Sequence, residues 1–190
     1  MIEGTTIFQA VQFIDLLNRN ISRLFEAVDE GMQSIDYKSL WGASISCKTS
    51  RQLSLSNRWI PHSFSRLYVP EATDEQTCSS LAFFSVYLTP KHHLMPLAHW
   101  GVARCKENAP FSGAWDQAVL RNEGPSFLQN ADSDPFEAAH VLSEVFDDFR
   151  QAVKPLTQLD SQESLDRLVL APLRSELESM SEQESKGKQQ

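Results

Sequence analysis

The stretch "LAFFSVYLTP", residues 81–90, is apolar at both sets of alternating positions. Ala82, Phe84 and Val86 lie on one parity, and Phe83 and Tyr87 lie on the other. A strand with one wet face alternates apolar and polar residues, whereas a strand buried on both faces is apolar throughout. The stretch therefore predicts a central strand of a sheet that is covered on both sides.

Neighbouring segments show the same two-residue period. The stretch "PLAHWGVARC", residues 96–105, follows a short connection and predicts a hairpin with residues 81–90. The stretches "ASISCKTS", residues 43–50, and "RWIPHSFSRLYVP", residues 58–70, predict two more strands, and "AWDQAVLRNEGPS", residues 114–126, is either a last strand or a turn of helix. The region 43–129 thus predicts an antiparallel sheet of four or five strands.

A helical period precedes the sheet region. Residues 6–31 predict one long helix, because their apolar residues follow alternating steps of four and three. That apolar row consists of Ile7, Val11, Ile14, Ile21, Phe25 and Val28, and Asn18 occupies its one missing place. One interpretation is a core helix in which Asn18 makes a local hydrogen bond. The other is a homodimer whose seam holds Val11, Ile14, Asn18, Ile21 and Phe25, since an Asn at one seam position fixes register and oligomer number.

A helical period also follows the sheet region. "SDPFEAAHVLSEVFDDFRQAVKPL", residues 133–156, begins with a capping Asp, a Pro and a Glu, and predicts a helix from Asp134. A second helix is expected after Asp160, with an interruption or restart at Pro172, so that residues 134–180 form two or three helices. The sequence therefore predicts a single α+β domain over residues 1–181, with the helices packed on one sheet face, and a disordered tail over residues 182–190.

Composition limits the class of protein. The 190 residues are 41% hydrophobic and 22% charged, enough for one well-buried core. The three cysteines lie far apart in the sequence, which favours a reducing compartment, and no apolar run is long enough to cross a bilayer. We expect a cytoplasmic protein that does not associate with a membrane.

No group of residues forms a motif for catalysis, metal binding or phosphate binding. The spacing of His92, His93, His99 and Cys105 matches no common zinc pattern, and the seven glycines never cluster into a phosphate-binding loop. Accordingly, the sequence predicts no catalytic residue, no metal and no cofactor.

Charge is distributed unevenly along the chain. Residues 48–121 carry 8 Lys and Arg against 5 Asp and Glu, a net charge of +3, whereas the whole chain carries −8. Cations placed among strand aromatics can stack on a ring and still bind a carboxylate or phosphate. We therefore expect the contacts to a partner or anion to come from Arg58, Arg66, Arg104, Trp59, Tyr87 and His99.

Three functions are compatible with these patterns. The first is a non-enzymatic cytoplasmic interaction or regulatory protein that binds another macromolecule, as a homodimer. The second is a small-ligand sensor that uses the sheet face of Phe83, Tyr87 and His99, and the third is an enzyme with a site assembled from scattered residues. A protein partner explains the Trp, Tyr and Arg residues at least as well as a nucleic acid does, because the chain as a whole is acidic.

Overall fold

The computed structural model describes residues 4–47, 61–72, 79–88, 95–106, 137–138 and 146–187. A long helix comes first, then a sheet, then a helical C-terminal segment, which is the predicted α+β order. The elements are α1 (Gly4–Gln33), β1 (Tyr37–Ser39), β2 (Ser46–Cys47), β3 (Ser63–Pro70), β4 (Ser80–Tyr87), β5 (Leu97–Cys105), β6 (Glu137–Ala138), β7 (Phe146–Pro155), a 3-10 turn (Leu156–Gln158), α2 (Gln162–Leu165), a π-helical segment (Asp166–Leu170) and α3 (Ala171–Gly187).

Every strand pair in the described part of the chain is antiparallel. The spatial order is β1-β3-β4-β5-β7-β6, and β2 also pairs with β3. The predicted hairpin is confirmed, since Tyr87 pairs with Leu97 and Ser80 pairs with Arg104. All eight residues of β4 are buried, so the apolar stretch that predicts a central strand forms one.

One face of the sheet carries the helices, as the sequence predicts. The end of α1 packs there together with α2, the π-helical segment and α3. Phe25 of α1 meets Phe84 of β4 edge to face, with ring centroids 5.3 Å apart. Gly31 lies so close to Leu170 that an added Cβ would be 2.4 Å from a side-chain carbon of that residue. A larger residue at position 31 would therefore require the Leu170 side chain to move.

The predicted helix over residues 134–156 is wrong. Glu137–Ala138 and Phe146–Pro155 are extended and pair with each other, while the intervening residues lie outside the described ones. The three-residue spacing of Phe146 and Phe149 is typical of a helix, but here a β-bulge produces it. The bulge is seen in the strand register, since Arg104 pairs with Asp148 whereas the next residue, Cys105, pairs with Phe146. The extra residue of a bulge lets two strand residues at odd spacing face the same side. Both phenylalanine rings lie on the face opposite the helices, 5.6 Å apart.

The C-terminal helical segment begins where predicted but does not break at Pro172. Ser161 and Ser164 form a capping box at its start. Within the π-helical segment the N–H of Ala171 donates to the carbonyl of Asp166, five residues earlier. Because Pro lacks an N–H and its ring crowds the preceding turn, this wider turn lets the helix continue. The helix extends to Gly187, six residues into the tail predicted from residue 182, and residues 188–190 lie outside the described ones.

Candidate functional site

Two of the predicted binding residues lie together in the sheet. Tyr87 and His99 lie on the face opposite the helices, with ring centroids 6.0 Å apart, and the Phe83 ring meets His99 edge to face at 4.8 Å. The Nε2 of His99 donates to Oε1 of Gln151 over 3.0 Å. Phe83 also covers Gly101, where an added Cβ would be 2.8 Å from the ring. Adjacent strands therefore hold the cluster in place.

This cluster is buried, which decides its chemistry. His99 is 2% exposed and Tyr87 is 7% exposed. Burial lowers the pKa of His99 to about 4, against the opposing effect of the Gln151 hydrogen bond, and burial raises the pKa of Tyr87 to about 12. Both groups are therefore neutral near pH 7. The predicted ligand-binding face is an interior layer at these positions, and its two titratable groups are poorly matched to proton transfer at neutral pH.

Arg66 lies on the other sheet face, beneath α1. Its guanidinium is 2.9 Å from Oδ2 of Asp29, its Nε donates to Oγ of Ser39 over 3.1 Å, and it also donates to the carbonyl of Gly42. Tyr68 donates its hydroxyl to the second oxygen of Asp29 over 2.8 Å. Burial raises the pKa of Asp29, which outweighs the opposing effects of Tyr68 and Arg66. Arg66 thus fastens α1 to the sheet instead of facing solvent.

The remaining basic and aromatic positions do not join this cluster. Arg104 is half-buried in β5, opposite Ser80 of β4 and Asp148 of β7. Arg58 and Trp59 lie outside the described residues. The structure therefore brings together Tyr87 and His99 but separates both from Arg66.

The largest exposed apolar surface among the described residues is on the first half of α1. No residue between Gly4 and Asn20 is buried, and we call this segment the arm. Five of its large apolar side chains are more than half exposed, namely Ile7 (52%), Phe8 (62%), Val11 (58%), Phe13 (65%) and Leu16 (56%), whereas Ile14 and Leu17 are half-buried. At about 100° per residue these side chains lie around most of the circumference of the arm. Monomeric soluble proteins seldom leave so much large apolar surface exposed on one segment unless the segment binds something.

The predicted dimer seam divides at Asn18. Before it, Val11 is exposed and Ile14 is half-buried; after it, Ile21 and Phe25 belong to the chain's own core at 4% and 1% exposure. Asn18 itself is exposed. Consecutive residues of the row lie on one side of the helix and form a single stripe. Beyond Asn18 this stripe packs on the sheet, whereas in the arm the described part of the chain leaves it uncovered. Ile21 and Phe25 therefore pack in the chain's own core.

Two features of the structure do not follow from the sequence patterns described above. Phe8 and Leu16 lie outside the four-and-three row and were not singled out, although their presence widens the apolar surface of the arm. Arg150 was also missed as a link between layers. It contacts Asp148 at 2.9 Å and Glu176 of α3 at 2.7 Å. The sequence held a signal only for the first feature, an apolar surface too wide for a simple coiled-coil seam.

Two further features are absent from the described part of the chain. Within it, no three His, Cys, Asp or Glu side chains are grouped so that they could hold a metal ion. None of its helices has the length and apolar character needed to cross a membrane.

Comparisons with protein-family models, curated proteins and solved structures find no match to this chain.

Proposed function

We propose that the chain is a non-enzymatic protein-binding module that contacts another macromolecule through the arm of α1. The observation that supports this function is the exposure of five large apolar side chains on one segment of 17 residues, Gly4–Asn20. The contact would serve a regulatory or assembly role in the cytoplasm, a reducing compartment of the kind that three widely spaced cysteines favour.

The physical basis is the cost of leaving this surface in water. Each square ångström of apolar surface removed from water is worth about 25 cal/mol. A helix of about this length has little stability by itself in water, so an uncovered arm is held only by its continuity with the packed half of α1. A partner that covers Phe8 and Val11 would gain burial energy and stabilise the arm at the same time.

The alternative functions have less support. A small-ligand sensor or an enzyme would need a polar group accessible to its ligand, whereas Tyr87 and His99 are buried and neutral near pH 7. Arg66, which was predicted to contact an anion, already forms an ion pair with Asp29 beneath α1. Interaction through the arm uses side chains that already face solvent.

The test compares partner capture by the unchanged chain and by an Ile7→Glu/Val11→Glu variant in extracts of the source cell. Both positions are exposed, so the fold should be retained, and Glu favours a helix more than Ile or Val does. Two carboxylates on the contact surface should abolish capture, because a partner cannot bury them cheaply.

The matched control is Gln9→Glu/Gln12→Glu, which adds the same two charges to the side of the arm opposite Ile7, Val11 and Ile14. We expect this control to capture the same proteins as the unchanged chain. Equal capture by the Ile7→Glu/Val11→Glu variant would show that the arm is not the contact surface.

A further inference from the structure

We infer that the arm of one chain is covered by the arm of a second copy, and that the two arms run antiparallel. This inference rests on the proposed function and names the partner. It follows from three properties of the arm: its charge, its position relative to the sheet and its area.

Charge favours a second copy over a membrane surface. The chain carries a net charge of −8, but the arm carries only Asp15 and Arg19, which form an ion pair with each other. Two neutral arms can approach without repulsion. A helix that lies on a membrane is typically rich in Lys and Arg, whereas the arm has Arg19 alone.

Position sets the orientation. From Ile21 onward the apolar stripe of α1 is covered by the chain's own sheet. If two arms packed in parallel along this stripe, each sheet would lie on the side of α1 that the other helix and its sheet must occupy. In an antiparallel pair the two sheets lie at opposite ends, and each arm ends where the other chain's sheet begins.

This orientation also sets the register. Complete overlap of the two exposed rows places Val11 of one copy opposite Ile14 of the other. Ile7 then lies opposite Asn18 of the second copy. Asn18 therefore marks a boundary along the stripe: before it the stripe packs on a second arm, and after it the stripe packs on its own sheet. The Asn18 side chains of the two copies do not pair with each other.

The area fits a weak dimer. An aromatic side chain presents about 150 to 250 Å² and an aliphatic one somewhat less, so the whole exposed arm offers roughly 500 Å² per copy. Pairing along the stripe of Ile7, Val11 and Ile14 would bury only part of this surface, less than about 1,000 Å² in total, which is the range of weak and transient interfaces.

Sedimentation equilibrium tests whether a second copy is the partner. We expect the apparent mass to rise from that of one 21.5 kDa chain toward twice that value as concentration increases. The Ile7→Glu/Val11→Glu variant should weaken association by at least about a hundredfold, because a carboxylate buried in an apolar seam is costly. The Gln9→Glu/Gln12→Glu control should associate like the unchanged chain.

A monomer at every accessible concentration would overturn this inference. If that monomer still captured cellular proteins through an intact arm, the proposed function would stand with a different partner. A monomer that bound phosphatidylcholine or phosphatidylserine vesicles through the arm would identify a membrane as the partner and overturn the inference as well.

Disulfide trapping tests the orientation. Chains carrying Ile7→Cys and chains carrying Asn18→Cys, each with Cys47→Ser, are mixed and oxidised. An antiparallel pair should link unlike chains, because the Cα atoms of bridged cysteines lie within about 7 Å. Two copies of position 7 would lie about 16 Å apart along the helix axis, at 1.5 Å per residue. Links formed mainly between like chains, in the mixture and in unmixed samples, would overturn the antiparallel pairing.

Discussion

At the scale of single residues, Arg66 acts through an internal ion pair. Its side chain is 7% exposed and that of Asp29 is 22% exposed, so removal of either partner leaves a poorly hydrated charge. We expect Arg66→Met to lower the free energy of unfolding by about 2 to 3 kcal/mol, somewhat less than the cost of breaking a fully buried pair. Urea unfolding would measure the change.

A double variant provides the control for this ion pair. Adding Asp29→Asn to Arg66→Met removes the remaining charge, so the double variant should lose less stability than the two single variants lose together. Strict additivity would show that the two charges are not coupled.

His99 makes stability depend on pH. Burial lowers its pKa from 6.5 to about 4 in the folded chain. Between these values the unfolded state binds a proton and the folded state does not, so acidification favours unfolding. The free energy of unfolding should fall by about 3 kcal/mol between pH 6.5 and 4, with no contribution from this group above pH 6.5.

The His99 contribution is isolated by comparing urea unfolding of the unchanged chain with that of His99→Gln at several pH values. The variant should lack this loss across the same window. Parallel pH dependence in both chains would mean that groups other than His99 produce the acid sensitivity; Asp29 is not one of them, because its raised pKa makes acidification favour the folded state.

At the scale of elements, the bulge of β7 governs which residues are buried. Deletion of Asp147 would remove the extra residue and turn Phe146 away from Phe149. We expect a loss of about 3 kcal/mol or more, comparable to truncation of a buried Phe. Asp147→Ala should cost little, because this side chain is exposed. A small effect of the deletion in chemical unfolding would show that the bulge does not hold the two rings together.

The same element shows how far the sequence predicts the fold. The hairpin of β4 and β5 and the extent of α1 could be predicted from local periodicity. Each of these three elements has a regular spacing of apolar residues along its length. In β7 the bulge imitates helical spacing, and only pairing with β5 settles the conformation. The ion pair of Arg66 and Asp29 joins residues 37 positions apart in the sequence and leaves no local pattern.

The candidate site was only partly predictable for a related reason. The apolar row through Asn18 predicted a helix that packs against the core or against a partner. Only the burial of its residues in the structure distinguishes the exposed arm from the half of α1 that packs on the sheet. Tyr87 and His99 have the residue types of a binding face, yet whether a sheet face is covered depends on contacts distant in sequence.

At the scale of the whole molecule, Phe84 joins the two layers, since it is fully buried and contacts Phe25 of α1. We expect Phe84→Ala to lower the free energy of unfolding by about 3 to 5 kcal/mol, a large share of the stability of an ordinary domain. Phe13→Ala, a truncation of the same size in the arm, should change it little in a dilute sample. Similar losses in the two variants, measured by urea unfolding, would mean that the arm belongs to the core.

Amide hydrogen exchange along α1 tests most directly whether the stripe changes partner at Asn18. In a dilute sample, amides before Asn18 should exchange rapidly, because the uncovered arm opens easily, while those of residues 21–33 stay protected by the core. In a concentrated sample, protection should increase in the arm alone. Equal protection on both sides of Asn18 in the dilute sample would show that the chain covers its own arm and would contradict an exposed binding surface.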